Sequence, residues 1–342
     1  MKTLIRVPNW IGDAVMATPA VQLIAQQNPE GGLGIWGPTA STTLFRNFPG
    51  VIALHEIPRE NPETLLPGIR EADYGQVFLF TNSFSSAREA RNAGIPRRVG
   101  YRRDWRGPLL THPVLCSPKT RSLHMVDYYL HLLPREWRTT NPERIPRLYL
   151  SDEEIRQGKE MLQKFTQGIS RPVVGVAAGA AYGSAKQWES GRFQETLAEL
   201  SRCGCFIVTF GTEKDQAINE MILSKCHPGR GDDLAGRTDI RGLMALIAGC
   251  SCLLSNDSGP MHLADALGTP VVALFGSTDS GWTGPQGKQH RIFQSEVACN
   301  PCFLRECPID RACMKSFSTE AVLAAVKSVL ELPSEPAASP DI

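Results

Sequence analysis

Residues 255–276 read SNDSGPMHLADALGTPVVALFG, and this stretch decides the class of fold. The preceding run Leu246–Leu254 is apolar enough for a buried strand. Within the quoted stretch, DSGP combines N-cap residues with a proline suited to the first helical turn. MHLADAL then has helical periodicity, the next glycine ends the helix, and PVVALF predicts a second buried strand. A strand–turn–helix–strand unit of this kind builds a parallel sheet covered by helices.

The turn between this strand and helix is a candidate anion site. Gly259 lets the backbone approach a ligand closely, and the first N–H groups of the helix carry the positive end of its dipole. Asp257 and Ser258 stand at the same turn. A phosphate group is suited to such a place, although an ordinary capped helix has the same residues.

The composition excludes several classes of protein. The chain has 342 residues, 42% of them hydrophobic, and a net charge of +1. These values predict a soluble, globular protein with two domains and no nucleic-acid partner. No apolar run approaches the ~20 residues of a membrane span. The opening MKTLIRVPNWIGD is interrupted before a signal-peptide core could form, so we expect a cytoplasmic protein.

Strand and helix patterns alternate along the whole chain. This alternation predicts an α/β fold of two doubly wound, Rossmann-like domains with parallel sheets, facing a cleft. The predicted strands are Leu4–Val7, Gly34–Trp36, Val51–Glu56, Val77–Phe80, Val173–Ala177, Phe206–Phe210, Cys252–Ser255 and Val271–Phe275. The predicted helices are Asp13–Gln26, Thr39–Asn47, Ser85–Asn92, Gly191–Ser201, Glu213–Leu223 and Ile240–Ala248.

A polar segment divides the chain into its two domains. Residues 151–172, SDEEIRQGKEMLQKFTQGISRP, predict a long helix with a polar face that ends in a Gly/Ser/Arg/Pro linker. We therefore expect an N-terminal domain over residues 1–168 and a C-terminal domain over residues 169–332. The remaining residues, 333–342, have the composition of a disordered tail.

The ends of the predicted strands carry polar or glycine-rich turns, where doubly wound sheets bind ligands. The first strand leads into VPNWIGD, which places Gly12 and Asp13 at the start of a helix. Asp13 is either a first-turn charge that stabilises the helix dipole or a general base.

Two further strand ends carry candidate ligand groups. The loop AGAAYGSAKQW contains Lys186, which is suited to holding a pyrophosphate. GTEKD contains Glu213, either a ribose-binding acceptor or an N-terminal helix charge. Neither GxxxxGK[ST] nor, at the first strand, GxGxxG is present, which disfavours a P-loop protein or a Rossmann dehydrogenase.

Four of the ten cysteines cluster near the C-terminus, in ACNPCFLRECPIDRAC. They are Cys299, Cys302, Cys307 and Cys313. Zinc, an iron–sulfur cluster or a disulfide are alternatives for such a group. The second pair lacks the tight spacing of a zinc ribbon and the cluster holds no histidine, which favours a structural or redox-labile loop over a metal site.

Taken together, the four strand-end turns are far more specific than any one of them. The sequence resembles the ADP-heptose:lipopolysaccharide heptosyltransferases, glycosyltransferase family 9, and within them the heptosyltransferase II branch most. The resemblance covers nearly the whole chain and rests on VPNWIGDAVMATPA, TNSFSSAREARNAGIPRRVGY, GAAYGSAKQW, SNDSGPMHLADALGTPVVALFGST and CNPCFLRECP.

The resemblance implies a GT-B fold, with an N-terminal acceptor-binding domain and a C-terminal domain that binds the ADP-sugar. It also implies that AVLAAVKSVLEL, residues 321–332, forms a final helix crossing back to the first domain. The implied reaction transfers L-glycero-D-manno-heptose from ADP-heptose to the first heptose of the lipopolysaccharide inner core, with inversion and without a metal or other cofactor.

The resemblance also implies a division of roles among the candidate residues. Asp13 would be the catalytic base, and Lys186 would stabilise the departing ADP. His262 either reaches the donor or is a packed helix residue. The donor-binding set is Gly12, Gly179, Ala180, Ala181, Lys186, Glu213, Asp257, Ser258, Gly259 and His262.

The implied acceptor is a phosphorylated lipid A–Kdo–heptose glycolipid. The stretch Arg88–Arg106 is strongly basic, which is typical of a solvated face but also suits an anionic acceptor and peripheral contact with the cytoplasmic face of the inner membrane. Tyr182 departs from the pattern of some relatives, so this loop leaves the donor's sugar open. The predicted acceptor-binding residues are Asn82, Ser83, Arg97, Arg98, Arg102 and Arg103.

Two alternatives remain from the sequence. The nearer is heptosyltransferase I or another core heptosyltransferase of the same fold. The farther is a non-catalytic nucleotide- or metal-binding protein, which the presence of both Asp13 and Lys186 disfavours.

Overall fold

The computed structural model describes residues 1–58, 65–138 and 142–332. The chain divides into two compact units, Met1–Tyr149 and Leu150–Ile342. The tail predicted to be disordered, 333–342, lies outside the described residues. Among the described helices, none is both long enough and apolar enough to cross a membrane.

The first unit is a parallel six-stranded sheet in the order β3-β2-β1-β4-β5-β6. Its strands are β1 (Thr3–Arg6), β2 (Leu33–Gly37), β3 (Val51–Glu56), β4 (Gln76–Leu79), β5 (Arg97–Tyr101) and β6 (His112–Val114). Its helices are α1 (Ile11–Met16), α2 (Thr18–Gln26), α3 (Thr39–Thr42), α4 (Leu66–Glu71), α5 (Phe84–Asn92), α6 (Pro118–Arg121), α7 (Met125–His131) and α8 (Arg135–Arg138), with 3₁₀ turns at Thr43–Phe45 and Gly107–Leu109.

The second unit has the same topology, with the order β12-β11-β10-β7-β8-β9. Its strands are β7 (Val173–Ala177), β8 (Phe206–Thr209), β9 (Gly231–Asp233), β10 (Cys252–Asn256), β11 (Val271–Phe275) and β12 (Arg291–Gln294). Its helices are α9 (Asp152–Phe165), α10 (Ser190–Arg202), α11 (Gln216–Leu223), α12 (Ile240–Gly249), α13 (Gly259–Leu267), α14 (Ser280–Thr283), α15 (Ala312–Lys315) and α16 (Thr319–Val329), with 3₁₀ turns at Ser184–Lys186 and Glu213–Asp215.

The strand order fixes where each sheet can bind a ligand. Numbered within its own unit, each sheet has the order 3-2-1-4-5-6, so the connections reverse direction between β1 and β4 and between β7 and β10. The loops that follow these two pairs of strands diverge and leave a crevice at the carboxyl edge of the sheet. These two switch points are therefore where a candidate site is expected in each unit.

The strands with long apolar runs match the sequence expectation. β3, β7 and β11 have the predicted bounds, and β7, β10 and β11 are buried along their whole length because helices cover a parallel sheet on both faces. The run Leu246–Leu254 is divided as the predicted helix Ile240–Ala248 and the predicted strand Cys252–Ser255 require, to within one residue at their ends. α12 continues to Gly249 and the strand begins at Cys252, because the first half of the run completes the buried face of the helix.

The boundary between the units differs from the expected one at residues 168 and 169. α9 packs on α12, and Glu154 of α9 forms two hydrogen bonds of 2.7 Å with the buried guanidinium of Arg241. The Arg241 guanidinium lowers the pKa of Glu154 to about 2, against the effect of partial burial. The helix expected to end the first domain therefore begins the second unit, which starts at Leu150.

The last described helix, α16, packs within the second unit. It lies on α10, and its side chains Val322 and Val326 are part of the same core as Val174 of β7. The crossing of this helix to the first domain concerns the arrangement of the two units and stays a prediction.

A buried hydrogen-bond network fixes α13, the helix that decides the fold. Asp265 accepts hydrogen bonds from the backbone N–H groups of Gln286 (2.9 Å) and Gly287 (3.0 Å) and from His290 Nε2 (2.8 Å). His290 Nδ1 in turn accepts from the backbone N–H of Val271, so Nε2 is the ring nitrogen that donates to Asp265. Burial raises the pKa of Asp265, but these hydrogen bonds outweigh it and hold the pKa below its usual range.

Asp265→Asn is expected to lower the free energy of unfolding by about 3 kcal/mol, because an amide cannot accept all three buried hydrogen bonds. A depressed folded-state pKa stabilises the fold above the unfolded-state value of about 3.9, and this stabilisation is lost as the pH falls toward the folded-state pKa. Urea unfolding as a function of pH measures both effects. Asp152→Asn, at an exposed position of α9, is the matched control. Equal stability of the two variants would contradict the assignment.

Candidate functional site

The second unit gathers most of the predicted donor residues at its switch point. The loop after β7 carries Gly179, Ala180, Ala181 and Lys186, and the turn after β10 carries Asp257, Ser258 and Gly259. β7 and β10 are hydrogen-bonded neighbours, in the register Ala177↔Ser255. The two loops therefore leave adjacent positions at the same edge of the sheet.

Lys186 and Asp257 form an ion pair at this switch point. Lys186 Nζ lies 2.5 Å from Asp257 Oδ2, and the two side chains are only 13% and 5% exposed. Thr278, which follows β11, donates its hydroxyl to the same carboxylate oxygen at 2.7 Å. Because an ammonium group has three N–H donors, Lys186 retains donors for a second anion, and partial burial strengthens that interaction.

The N-terminus of α13 lies at the same turn. Its N-cap Ser258 makes no side-chain capping hydrogen bond, and its hydroxyl instead lies 3.0 Å from that of Ser255. The N–H groups of a first helical turn have no acceptor within the helix, and they carry the positive end of its dipole. This turn, next to Lys186, has the properties of an anion site for a phosphate group.

Asn256 ties the two loops together. Its Nδ2 donates to the carbonyl of Ala178 at 2.7 Å, and its Oδ1 accepts from the backbone N–H of Trp188 at 3.1 Å. The fully buried amide thus fixes both ends of the loop that carries Lys186. Neither Asn256 nor Thr278 was predicted as a site residue, although Asn256 ends β10 and Thr278 lies three residues after β11.

Tyr182 and Arg305 add a second cation beside this loop. Lys186 Nζ lies 4.8 Å from the centroid of the Tyr182 ring, and Arg305 Cζ lies 5.2 Å from it. The Tyr182 hydroxyl donates to the carbonyl of Phe303 at 2.9 Å. Both cations are attracted to the face of the aromatic ring, which holds them close to one side chain.

The cysteine-rich segment supports the Lys186 loop through its backbone. Ala185 N–H donates to the carbonyl of Arg305 at 3.0 Å, and a Cβ at Gly183 would lie 2.2 Å from that oxygen, so only glycine permits this approach. The thiols of Cys299, Cys302, Cys307 and Cys313 are all free. No three His, Cys, Asp or Glu side chains in the described part of the chain are placed to hold a metal ion.

Glu213 lies at the end of β8 on an exposed 3₁₀ turn. The adjacent Asp215 accepts hydrogen bonds from the backbone and hydroxyl of Thr212, at 2.8 and 2.9 Å. A Cβ on Gly179 would lie 2.5 Å from Asp215 Oδ1, so this turn reaches the loop after β7. Glu213 is thus at the same edge of the sheet as Lys186, in a position open to a ligand hydroxyl.

His262 lies on α13 and is 5% exposed. It is one helical turn from Ser258, as its spacing predicts. Its burial fits both alternatives that the sequence left open, a donor contact and a packed helix residue.

In the first unit, Gly12 and Asp13 lie in the first turn of α1, directly after β1. Asp13 is partly buried, and α1 packs on α7. Complete burial together with the nearby Asp13 carboxylate raises the pKa of Tyr129 on α7 well above its usual value. Asp13 is therefore at the switch point of its sheet, beside a tyrosine that stays protonated.

Asn82 follows β4, on the other side of the same switch point. It exchanges hydrogen bonds with the Tyr128 hydroxyl, with separations of 2.9 and 3.3 Å. Ser83 caps α5 by accepting from the backbone N–H of Ser86. Tyr128 is a member of this site that the sequence did not reveal, since it is 46 positions from Asn82.

Arg106 supports Asn82 from below the surface, although the sequence places it in an exposed basic stretch. It is fully buried and donates to the carbonyls of Tyr101 (2.9 Å) and Thr81 and to Asn82 Oδ1 (3.4 Å). Burial lowers its pKa to about 10. For this residue, the expectation of a solvated or acceptor-facing cation is wrong.

The four arginines predicted to bind the acceptor lie in two settings. Arg97 and Arg98 are on β5, where the Arg98 guanidinium donates to two backbone carbonyls, at 2.6 and 2.8 Å. Arg102 is exposed after the end of β5, and Arg103 is partly buried and hydrogen-bonded to Tyr128. Only Arg103 is thus joined to the network around Asn82.

Comparison with known proteins agrees with this architecture. The sequence profile of glycosyltransferase family 9 (heptosyltransferase) matches residues 64–312. Lipooligosaccharide heptosyltransferase 2 of Haemophilus ducreyi is 32% identical over 316 residues, covering 86% of this chain and 88% of that protein. Lipopolysaccharide heptosyltransferase 2 of Escherichia coli is 28% identical over 307 residues, with the same two coverages of 86% and 88%.

A solved structure extends the likeness to the fold. The structure of E. coli ADP-heptose lps heptosyltransferase II has a TM-score of 0.81 and 26% identity, and the match covers 97% of this chain and 99% of the other. The predicted α/β, doubly wound fold class is confirmed by this match and by the two six-stranded sheets. The chain therefore belongs to glycosyltransferase family 9, the heptosyltransferases, and is a glycosyltransferase of the GT-B fold.

Proposed function

We propose that this glycosyltransferase moves L-glycero-D-manno-heptose from ADP-heptose to the first heptose of the lipopolysaccharide inner core. The observation that carries the proposal is the partly buried Lys186–Asp257 pair beside the N-terminus of α13. This arrangement suits the diphosphate of a nucleotide sugar. The choice of heptose donor and heptose acceptor is supported by the likeness to heptosyltransferase 2 proteins from several species.

The proposed chemistry is a single displacement with inversion. The acceptor hydroxyl oxygen forms the new bond to the anomeric carbon of heptose. The bond from that carbon to the β-phosphate oxygen breaks, and its electron pair stays on ADP. Asp13 accepts the hydroxyl proton as a general base.

The second unit stabilises the charge that develops on ADP. Lys186 donates to the diphosphate while Asp257 and Thr278 hold its ammonium group in place. The N–H groups of Ser258 and Gly259 add the positive end of the helix dipole. Glu213 binds the ribose hydroxyls, and Gly179, Ala180 and Ala181 allow the backbone to approach the donor.

The first unit supplies the acceptor contacts in this proposal. Asn82, with Ser83 at the same turn, faces the acceptor sugar and is oriented by Tyr128 and Arg106. Arg102 and Arg103, with Arg97 and Arg98 nearby, bind the phosphates of the lipid A–Kdo–heptose glycolipid. The enzyme then acts in the cytoplasm, as a peripheral protein on the inner leaflet of the membrane.

Release of ADP from ADP-L-glycero-β-D-manno-heptose tests the proposal. Two acceptors are compared, one with and one without the first inner-core heptose. We expect turnover only on the heptose-bearing acceptor. Turnover on the heptose-free acceptor would instead assign the chain to the first transfer of the core, and no turnover with either would contradict the choice of donor.

A further inference from the structure

Trp105 is held in an unusual position at the carboxyl edge of the first sheet. Its side chain is 94% exposed, the largest exposure among the large apolar side chains of the described residues. Trp105 and Asp104 both have left-handed backbone angles, with φ of 61° and 50°. Such a conformation costs a residue other than glycine about 1–2 kcal/mol, and it persists only where the surrounding structure imposes it.

The surrounding structure imposes it through the residues on either side. Arg103 N–H donates to the carbonyl of Tyr101, and Arg106 N–H donates to the carbonyl of Arg103, which closes a tight turn. The buried Arg106 side chain anchors the end of this turn. Trp105 is therefore displayed on a firmly anchored turn.

A second exposed apolar side chain stands beside this turn. Leu115 is 72% exposed and follows β6, as the turn follows β5. β5 and β6 are paired in the register Tyr101↔Val114, and Arg102 N–H donates to the carbonyl of Val114 at 2.8 Å. Trp105 and Leu115 thus follow the ends of adjacent strands, at the β6 margin of the sheet.

Exposed basic residues accompany this apolar pair along the chain. Between residues 97 and 121 the chain carries seven Arg or Lys and a single acidic residue, Asp104. Of these seven, Arg106 is fully buried, whereas Arg102, Lys119 and Arg121 are exposed. This part of the chain therefore combines two exposed apolar side chains, Trp105 and Leu115, with three exposed cations.

This combination fits one kind of partner, an anionic bilayer surface. Tryptophan is preferred at the level of lipid headgroups, and each basic residue near anionic lipids adds about 1 kcal/mol of attraction. Two apolar side chains are too few for a stable protein interface, which buries about 800 Å² on each partner. Binding through apolar insertion plus charge is the pattern of interfacial membrane proteins.

We propose that Trp105 and Leu115 insert into the headgroup region of the inner-leaflet bilayer, with Arg102, Lys119 and Arg121 contacting anionic lipids. The proposal deepens the proposed function and rests on it, because a lipid-linked acceptor must be met at the membrane. It assigns the insertion to residues that have no part in the chemistry.

Vesicle binding tests the proposal directly. The full chain is sedimented with sucrose-loaded vesicles of phosphatidylethanolamine and phosphatidylglycerol, and with vesicles of phosphatidylcholine alone. Trp105→Ser combined with Leu115→Ser is expected to weaken binding to the anionic vesicles at least about tenfold. Ile309→Ser, at a 73% exposed position of the second unit, is the matched control and should bind as the wild type does.

Two further measurements separate the bilayer from the sugar as the partner. Brominated lipids should quench the fluorescence of the wild type more than that of Trp105→Phe. The double serine variant should transfer heptose to a deacylated, water-soluble acceptor at the wild-type rate and lose rate only on vesicle-embedded acceptor.

Equal vesicle binding by the double variant and the wild type would overturn the proposal. An equal loss of rate on both acceptors would also overturn it, because Trp105 would then contact the sugar. Vesicle binding requires no heptose, so its result stands even if the transferase assay fails. Conversely, if the double variant transferred heptose and bound vesicles as the wild type does, only the membrane contact would be rejected and the proposed function would stand.

Discussion

Asp13→Asn is expected to lower kcat for heptose transfer by about 10²–10⁴-fold, the range that a positioned general base contributes. The amide has the shape of the carboxylate but cannot take the proton of the acceptor hydroxyl. α1 should persist, since loss of a first-turn charge costs a helix only about 0.3–1 kcal/mol. The decisive measurement is ADP release at saturating donor, using the heptose-bearing acceptor over a range of pH.

The pH profile distinguishes a base from a structural residue. The wild-type rate should fall on the acid side as the base becomes protonated, and the residual rate of Asp13→Asn should lack this limb. Affinity for ADP, measured by calorimetry, should not change. Asp73→Asn is the matched control, because Asp73 is exposed in the same unit. An acid limb that persists in Asp13→Asn would place the base at another residue.

The sequence was most informative about the buried parallel strands. β7 and β11 are continuous apolar runs bounded by turn residues, and such runs predict strands wherever helices cover both faces of a sheet. β5, β6, β9 and β12 were not predicted. β9 reads GDD and β6 reads HPV, so their strand conformation comes from pairing with a neighbour rather than from their own composition.

The candidate site likewise consists of residues that the sequence could indicate and of contacts between them that it could not. Lys186 was singled out as a lone charge in a Gly/Ala-rich loop, and Asp257 as an N-cap residue at a strand-to-helix turn. Their ion pair joins residues 71 positions apart, and the hydrogen bond from Tyr182 to Phe303 joins residues 121 positions apart. Such partners depend on the order of strands in the sheet, which a single sequence does not contain.

The sequence also did not show which charged side chains are buried. Arg106 belongs to a run that is basic by composition, and only the packing of the turn reveals that its guanidinium is inside. It makes its hydrogen bonds to carbonyls of neighbouring strand ends, as a buried cation must. The sequence thus indicated a basic region but not which of its arginines are buried.

Lys186→Ala is expected to lower kcat/KM by about 10²–10³-fold, the effect of removing one group that stabilises charge in a transition state. The ammonium group is the only cation paired with Asp257 in the described structure, and it lies beside the N-terminus of α13. Affinity for ADP should fall as well, because the product carries the same diphosphate. Lys225→Ala removes an exposed lysine of the same unit and should change neither quantity.

Loss of Lys186 also leaves the Asp257 carboxylate buried with only the Thr278 hydroxyl as its described partner. Breaking such a pair costs about 3–5 kcal/mol, so unfolding must be separated from loss of function. Lys186→Ala combined with Asp257→Ala removes both charges and should recover most of the thermal stability, while kcat/KM stays low. Recovery of turnover together with stability would show that Lys186 serves the fold. Another cation would then stabilise the departing ADP, and Arg305, which lies over the same Tyr182 ring, is the candidate.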